Sequence, residues 1–416
     1  MPPPSSSGGA ARPPRHASIS PRRRRALTRL ALLILLACVV WSERPGGALR
    51  ASRDHVRLLE RFAESSDADA VAARDAFASL RDVGDPLPPT CAAEIAAAVP
   101  IGRDTLERSR LYATQAASAR AGGVSGLNHN DRGPPLPDDA AARSDAAVGA
   151  GTTTQGMGLD ALFAFAPDGS VAARRVRLDV PVRAIVVPLP ARSAAARRIR
   201  DATRRAMTRW FPDVPGESES ESSFARRGGV GVGVGGGATR VWYQDPRAYH
   251  FSVFHASHHL DAHPALGAAA AAESAAVRRV ARGLCPVRAA LERVVVTRSG
   301  AVTALWNVAA GAEPREFRAR LRGALPNAPA RQIVSDEVIF HSTIARVLRP
   351  PRPGEGGDGG AAEAAMGAAA ELTDALCGTT ATLPEAWFVH EKETLALALG
   401  GDYDPQVMKF RCANDG

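Results

Sequence analysis

The chain has 416 residues, is 45% hydrophobic and 23% charged, and carries a formal charge of +9. That composition excludes a disordered chain, and its polar interruptions exclude a multi-pass membrane protein. The excess charge sits in residues 1–53, which hold ten arginines against one acid, Glu43, and the remainder is balanced. The body therefore lacks the basic field that double-stranded nucleic acid selects. Lysine occurs only at Lys392 and Lys409 and alanine is abundant, a compositional bias that warns against reading every Ala or Gly run as a motif.

In chain order, residues 1–25 read as a disordered basic tail. The apolar run Leu30–Trp41 follows. It is shorter than the roughly 20 residues that cross a bilayer, but it extends to 26–41 if Arg29 snorkels. Arg22–Arg25 on its N-terminal side favour a single-pass type II signal anchor, with the body on the lumenal side of the endomembrane or Golgi system. A cleaved signal peptide (a secreted protein) or an organellar transit peptide is the alternative, because the first 25 residues are Ser/Arg-rich and acid-free. Residues 42–120 favour helix, with Val56, Leu59 and Phe62 on one face, and read as a helical stem. Residues 121–157 are Gly, Ala, Asn, Asp and Pro with few large apolar side chains, a linker.

From residue 158 the pattern changes. Leu162–Phe165 and Val171–Leu178 flank a Pro167–Gly169 turn, a hairpin signal, and Arg183–Leu189 reads as a strand. Ser193 caps a helix through Ile199, Ala202, Ala206 and Trp210. Residues 214–237 form an acidic and then glycine-rich surface loop. Strands are expected at Val241–Tyr243 and Tyr249–His255, then a helix through Val277, Val280, Ala281 and Leu284. A hairpin Leu291–Thr297/Ala301–Val308 precedes a helix opened by Pro314, and Val338–Ile344 reads as a strand. A helix near Ala362–Leu376 and strands near Trp387–Glu391, Thr394–Leu399 and Val407–Arg411 complete the chain. This order predicts an α+β domain over 158–412 with two similar halves, about 158–260 and 270–412. Cys91, Cys285, Cys377 and Cys412 could form two disulfides in an oxidising compartment, or serve as small core residues.

Each half contains a strand with a histidine. The tripeptide His-x-Ser/Thr occurs at His16, His250, His255 and His341, but only His250-Phe251-Ser252 and His341-Ser342-Thr343 sit within apolar strand readings. Strand side chains alternate, so each imidazole shares a face with the hydroxyl two residues later. Facing each other across a cleft, two such strands could hydrolyse a phosphodiester without a metal or cofactor. One neutral imidazole would deprotonate water and the other would protonate the leaving oxygen, with Ser252 and Thr343 binding the phosphate. Tyr249, His255 and Ser342 are further candidates at the cleft, and Ser342 could replace Thr343 if the register slips.

These paired strands, with Trp242–Asp261 (WYQDPRAYHFSVFHASHHLD), Val338–Leu348 (VIFHSTIARVL) and Leu395–Gly401 (LALALGG), resemble the two-histidine phosphoesterase superfamily. That superfamily includes 2′,3′-cyclic nucleotide phosphodiesterases and RNA 2′,3′-cyclic phosphodiesterase/ligase-like proteins. The nearest likeness is to a plant and green-algal branch with an N-terminal hydrophobic segment. The resemblance covers about residues 158–412. It implies a duplicated, bilobal fold with two antiparallel sheets facing a central cleft, catalysis by His250 and His341, and no metal. The expected substrate is a small cyclic phosphate or an RNA end.

Other signals are weaker. His255, His258, His259, Asp261 and His263 are dense enough to suggest a metal, but the stretch leaves a strand and approaches Pro264. Gly231-x-Gly233-x-x-Gly236 matches a dinucleotide fingerprint inside a low-complexity run without strand–turn–helix context. A Golgi-type glycosyltransferase would use an Asp-x-Asp, found at Asp67/Asp69 and Asp402/Asp404. A membrane-anchored binding protein using the same cleft is the non-enzymatic alternative.

Overall fold

The computed structural model describes residues 87–124, 159–166, 169–213, 239–349, 351 and 360–412, all within one compact unit. The basic tail, the apolar segment 26–41, residues 42–86 of the expected stem, nearly all of the linker, the glycine-rich loop and Asp67/Asp69 lie outside the described residues. Two helices come first, α1 (Pro89–Ala98) and α2 (Arg103–Gly122), then the short α3 (Leu159–Leu162). β1 (Phe163–Phe165) and β2 (Val171–Ala173) form the expected hairpin, with Gly169 at φ 85°. β3 (Arg177–Pro188), α4 (Ala194–Trp210), β4 (Val241–Tyr243) and β5 (His250–Ser257) follow, then α5 (Ala268–Arg282). β6 (Val287–Val296) and β7 (Ala301–Ala310) form a hairpin, and α6 (Pro314–Ala324) leads through an irregular segment to β8 (His341–Val347). The chain closes with α7 (Gly360–Leu376), β9 (Thr380–Leu383), β10 (Glu385–Glu393), α8 (Ala396–Leu399) and β11 (Tyr403–Lys409).

Two larger sheets result, ordered β11-β10-β3-β5 and β4-β8-β7-β6-β9, and their described pairings are antiparallel. The domain is thus mixed α+β, with one histidine strand in each sheet. Local chemistry accounts for many boundaries. The Ser193 hydroxyl accepts the Ala196 N–H and caps α4, whose Ile199, Ala202 and Ala206 are buried. Pro314 occupies the first turn of α6, where its missing N–H costs nothing. Gly311, at φ 92°, lies against the Pro286 carbonyl, where any Cβ would overlap the oxygen.

Alternation divides each sheet into two faces. Ile185, Val187, Phe251, Val294, Val302, Ala304 and Val347 belong to one large apolar core that includes buried residues of α4–α7. The opposite face carries Ala184, Val186, His250, Ser252, His341 and Thr343. α1 and α2 do not form a separate stem over these residues. Tyr112 and Ala116 pack with Val295, Leu305 and Ile339, and a disulfide joins Cys91 of α1 to Cys377, with a Cα separation of 5.5 Å. A second disulfide joins Cys285 to Cys412 at 4.2 Å. Several expected elements shift, among them the last strand, which spans Tyr403–Lys409 rather than Val407–Arg411. Residues 394–399 form a turn and a short helix rather than a strand, and the strand expected at Val338–Ile344 begins only at His341.

Candidate functional site

β5 and β8 bring the two His-x-hydroxyl pairs into one cleft of about 920 Å³, its open mouth included. His250, Ser252, His341 and Thr343 all line it, as period-2 alternation requires. Both strands then depart from that period. In β5, Val186 pairs with Ser252 and Ile185 with Phe254, so Val253 is an extra residue. In β8, Thr303 pairs with Thr343 and Val302 with Ala345, so Ile344 is extra. Each bulge re-aims the side chains after it. His255 and Arg346 therefore return to the cleft face, and the polar side chains there come from the first, third and sixth residues of each strand: His250, Ser252, His255 and His341, Thr343, Arg346, with Ala345 also on the lining.

The same register settles the accessory candidates. Ser342 faces the core and its hydroxyl accepts the Trp306 indole N–H at 3.2 Å, so it is not a cleft group. Tyr249 is buried in the apolar core and also lies outside the cleft lining, because it precedes the strand at the end of a 3-10 turn. His255 does line the cleft. Arg346 was not legible from alternation, since it falls on the wrong parity unless the bulge at Ile344 is known.

Polar groups converge on the cleft from both strands. His250 Nδ1 is 2.8 Å from the Ala248 carbonyl, which fixes that nitrogen as the donor and leaves Nε2 for the cleft. His341 Nδ1, His255 Nδ1, Trp242 Nε1 and Arg346 Nη1 are buried with no hydrogen-bonding partner among the described residues. An unsatisfied buried group costs about 1–3 kcal/mol, and these four lie along one cleft. Burial lowers the pKa of His250, opposed by the Ala248 carbonyl. Burial, with the nearby Arg318 and His250 charges, takes His341 down to about 4. His255 falls to about 3, chiefly by burial and then by His258, His259, His250 and Arg318. Desolvation alone lowers Arg346 to about 10, so it stays a cation at neutral pH.

The far wall is apolar. Leu395 adopts a left-handed backbone at φ 49°, uncommon for a non-glycine residue, and turns the chain so that Leu395, Leu397 and Leu399 face the cleft. The Glu391 carboxylate accepts the Leu397 N–H at 2.7 Å and ties this rim to β10. Burial raises the Glu391 pKa to about 7, the Leu397 N–H opposing it.

Among the described residues no group of three or more His, Cys, Asp or Glu side chains is gathered as a metal ion would need. In the histidine-rich loop, His258 Nδ1 accepts the Asp261 N–H at 3.1 Å, so its Nε2 donates to the Arg331 carbonyl at 2.9 Å. His263 lies between the Asn327 carbonyl and the Asp261 carboxylate, at 2.6 and 2.8 Å. Asp402, just before β11, and Asp404, within it, both pair with Lys392, at 3.2 and 3.0 Å, which engages the Asp-x-Asp in ion pairs.

No family model matches the sequence, and neither does any curated protein. Among solved structures, the chain is similar to TT0787 of Thermus thermophilus, with 16% identity and a TM-score of 0.32. The match covers 56% of this chain and 100% of that one. Likeness at that level assigns neither fold nor activity. Among the described residues no helix is long and apolar enough to cross a membrane.

Proposed function

We propose that the cleft hydrolyses a cyclic phosphodiester of the 2′,3′-cyclic nucleotide or RNA-end type, in a duplicated two-histidine phosphoesterase-like domain. The observation that carries this reading is the meeting of His250/Ser252 and His341/Thr343, from two different sheets, along one cleft. One imidazole takes a proton from water as its oxygen bonds to phosphorus. The other gives a proton to the ribose oxygen as the P–O bond breaks. Ser252, Thr343 and Arg346 donate to the non-bridging oxygens, and the guanidinium adds the positive charge that the hydroxyls lack. The apolar rim at Leu395–Leu399 suits a sugar or base edge.

Every step is assigned to a side chain of this protein, so activity is expected to persist with EDTA. The test is an assay of the full chain against 2′,3′-cyclic nucleotides and a short RNA ending in a 2′,3′-cyclic phosphate, with EDTA present. Turnover abolished by His250→Ala and by His341→Ala supports the proposal. Activity that vanishes with EDTA, or survives both substitutions, overturns it. No turnover on any cyclic phosphate favours a binding protein. We further propose that the domain works in an oxidising compartment behind the N-terminal apolar segment. The two disulfides support this, because such bonds persist where thiols are not kept reduced. A reporter of lumenal exposure on the C-terminus tests it, and a cytosolic readout rejects it.

A further inference from the structure

The segment just before β8 has an unusual way of satisfying its backbone. Residues 337–340 precede the strand, yet Val338, Ile339 and Phe340 are buried. Buried N–H and C=O groups need partners, and here side chains supply most of them. The Asp336 carboxylate accepts the N–H groups of Val338 and Ile339 at 2.9 and 3.2 Å. Arg108 of α2 donates to the Val338 carbonyl at 2.7 Å. The Tyr112 hydroxyl, also of α2, accepts the Phe340 N–H at 2.9 Å and lies 2.8 Å from the carbonyls of Phe340 and Trp306. Arg318 of α6 donates to the carbonyls of Glu337 and Ile339 at 2.6 and 2.9 Å.

Arg318 does something the others do not. The same guanidinium reaches the carbonyls of Val253 and Ser252 in β5, at 3.0 and 3.4 Å. Those residues are the bulge of β5 and the hydroxyl beside it. One rigid fork thus joins the strand of His250 to the approach to His341. On the core side, Phe251 and Phe340, the neighbours of the two histidines, stack with ring centroids 4.1 Å apart and planes 8° from parallel. The two histidine strands, which belong to different sheets, are pinned together at these two places.

We propose that Arg318 is a positioning residue that sets the spacing of His250 and His341, and that Tyr112 sets His341 alone from α2. This rests on the reading of the cleft as a phosphodiester site, where the imidazoles must hold opposite sides of one phosphorus. A lysine keeps the charge but cannot span four carbonyls, since it lacks the planar fork.

The experiment uses the full chain and the variants Arg318→Lys and Tyr112→Phe, with steady-state kinetics on a 2′,3′-cyclic nucleotide and side-chain ¹⁵N resonances of the histidines at fixed pH. Arg318→Lys is expected to lower kcat about 100-fold with KM changed less than about 3-fold, the scale of an ångström-sized misplacement. Its His250 and His341 ring resonances should both move. Tyr112→Phe should lower kcat about tenfold on the same scale and move His341 only. A folded Arg318→Lys with wild-type kcat, or with the His250 ring unmoved, overturns the proposal, because a merely stabilising arginine would lower Tm and nothing else. If Arg318→Lys does not fold, Tyr112→Phe decides alone: a His341 ring left in place overturns the proposal. The ring resonances need no turnover, so an inactive wild-type protein would sink the phosphodiesterase reading and leave this one still decided by them.

Discussion

β5 and β8 display the same three-position pattern to one cleft by different means. β5 is laddered to β3 along most of its length, and the His250 ring is held by the Ala248 carbonyl two residues upstream. β8 begins at His341, and the residues before it are held by Arg108, Tyr112 and Arg318 from two helices. The sixth position also differs: a neutral imidazole at His255, a guanidinium at Arg346. β8 is laddered too, with His341 opposite Leu305 of β7, so there a side-chain clamp from helices remote in sequence is added to the backbone ladder. The β8 side of the cleft thus depends also on residues 103–122, which do not reach β5 in the described bonds. The strand differences also place the cationic side chain of the cleft, Arg346, on β8.

The comparison breaks most readily at its centre. Replacing either His250 or His341 with alanine should cost about 10²–10⁴-fold in kcat, the worth of one proton transfer. The double variant should lose less than the product, because the two act as a unit. A gross difference between the single losses would mean that the strands do not share the chemistry. Next comes the set proposed to face the phosphate. Arg346→Gln and Thr343→Val should each lower kcat/KM by about 10²–10³-fold if they meet developing charge. Ser342→Ala should leave kcat/KM within about 2-fold, while the loss of its bond to Trp306 costs about 1 kcal/mol of stability. If Ser342→Ala is the damaging change, the register of β8 is wrong.

Much of this was legible from spacing. Alternation placed each hydroxyl beside its histidine, because period 2 is a property of the strand and needs no partner. It failed one residue later. The bulges at Val253 and Ile344 arise from pairing with β3 and β7, which local sequence does not record, so Arg346 stayed hidden and His255 was only a candidate. Residues 42–120 read as a stem because helical periodicity shows one apolar face but not what covers it. Arg108, Tyr112 and Ser109 are polar or amphipathic side chains whose partners lie some 183–230 residues away. The turn at Leu395 was invisible for another reason: a left-handed leucine breaks the propensity that strand reading relies on.

The smallest expected effect concerns pH. In the free protein His341 titrates near 4, and burial also lowers His250, so one imidazole can be neutral and the other protonated only below the ordinary histidine range. The bell in kcat/KM should therefore be centred below about pH 6.5, its two limbs belonging to the pair. Stability carries opposing signs over the same window. His255 and His341 bind fewer protons folded than unfolded between their lowered values and about 6.5, so they make stability fall as pH drops through that range. Glu391 binds more protons folded than unfolded from the ordinary carboxylate range to about 7, so it makes stability fall as pH rises there. Glu391→Gln removes only the second contribution. Its Tm should then rise more steeply than wild type between about pH 5 and 7, by about a few degrees for a change of order 1 kcal/mol. Parallel Tm curves for the two proteins would show that Glu391 is ionised in the cleft, and that the rim at Leu397 is tied by a carboxylate rather than by a carboxylic acid.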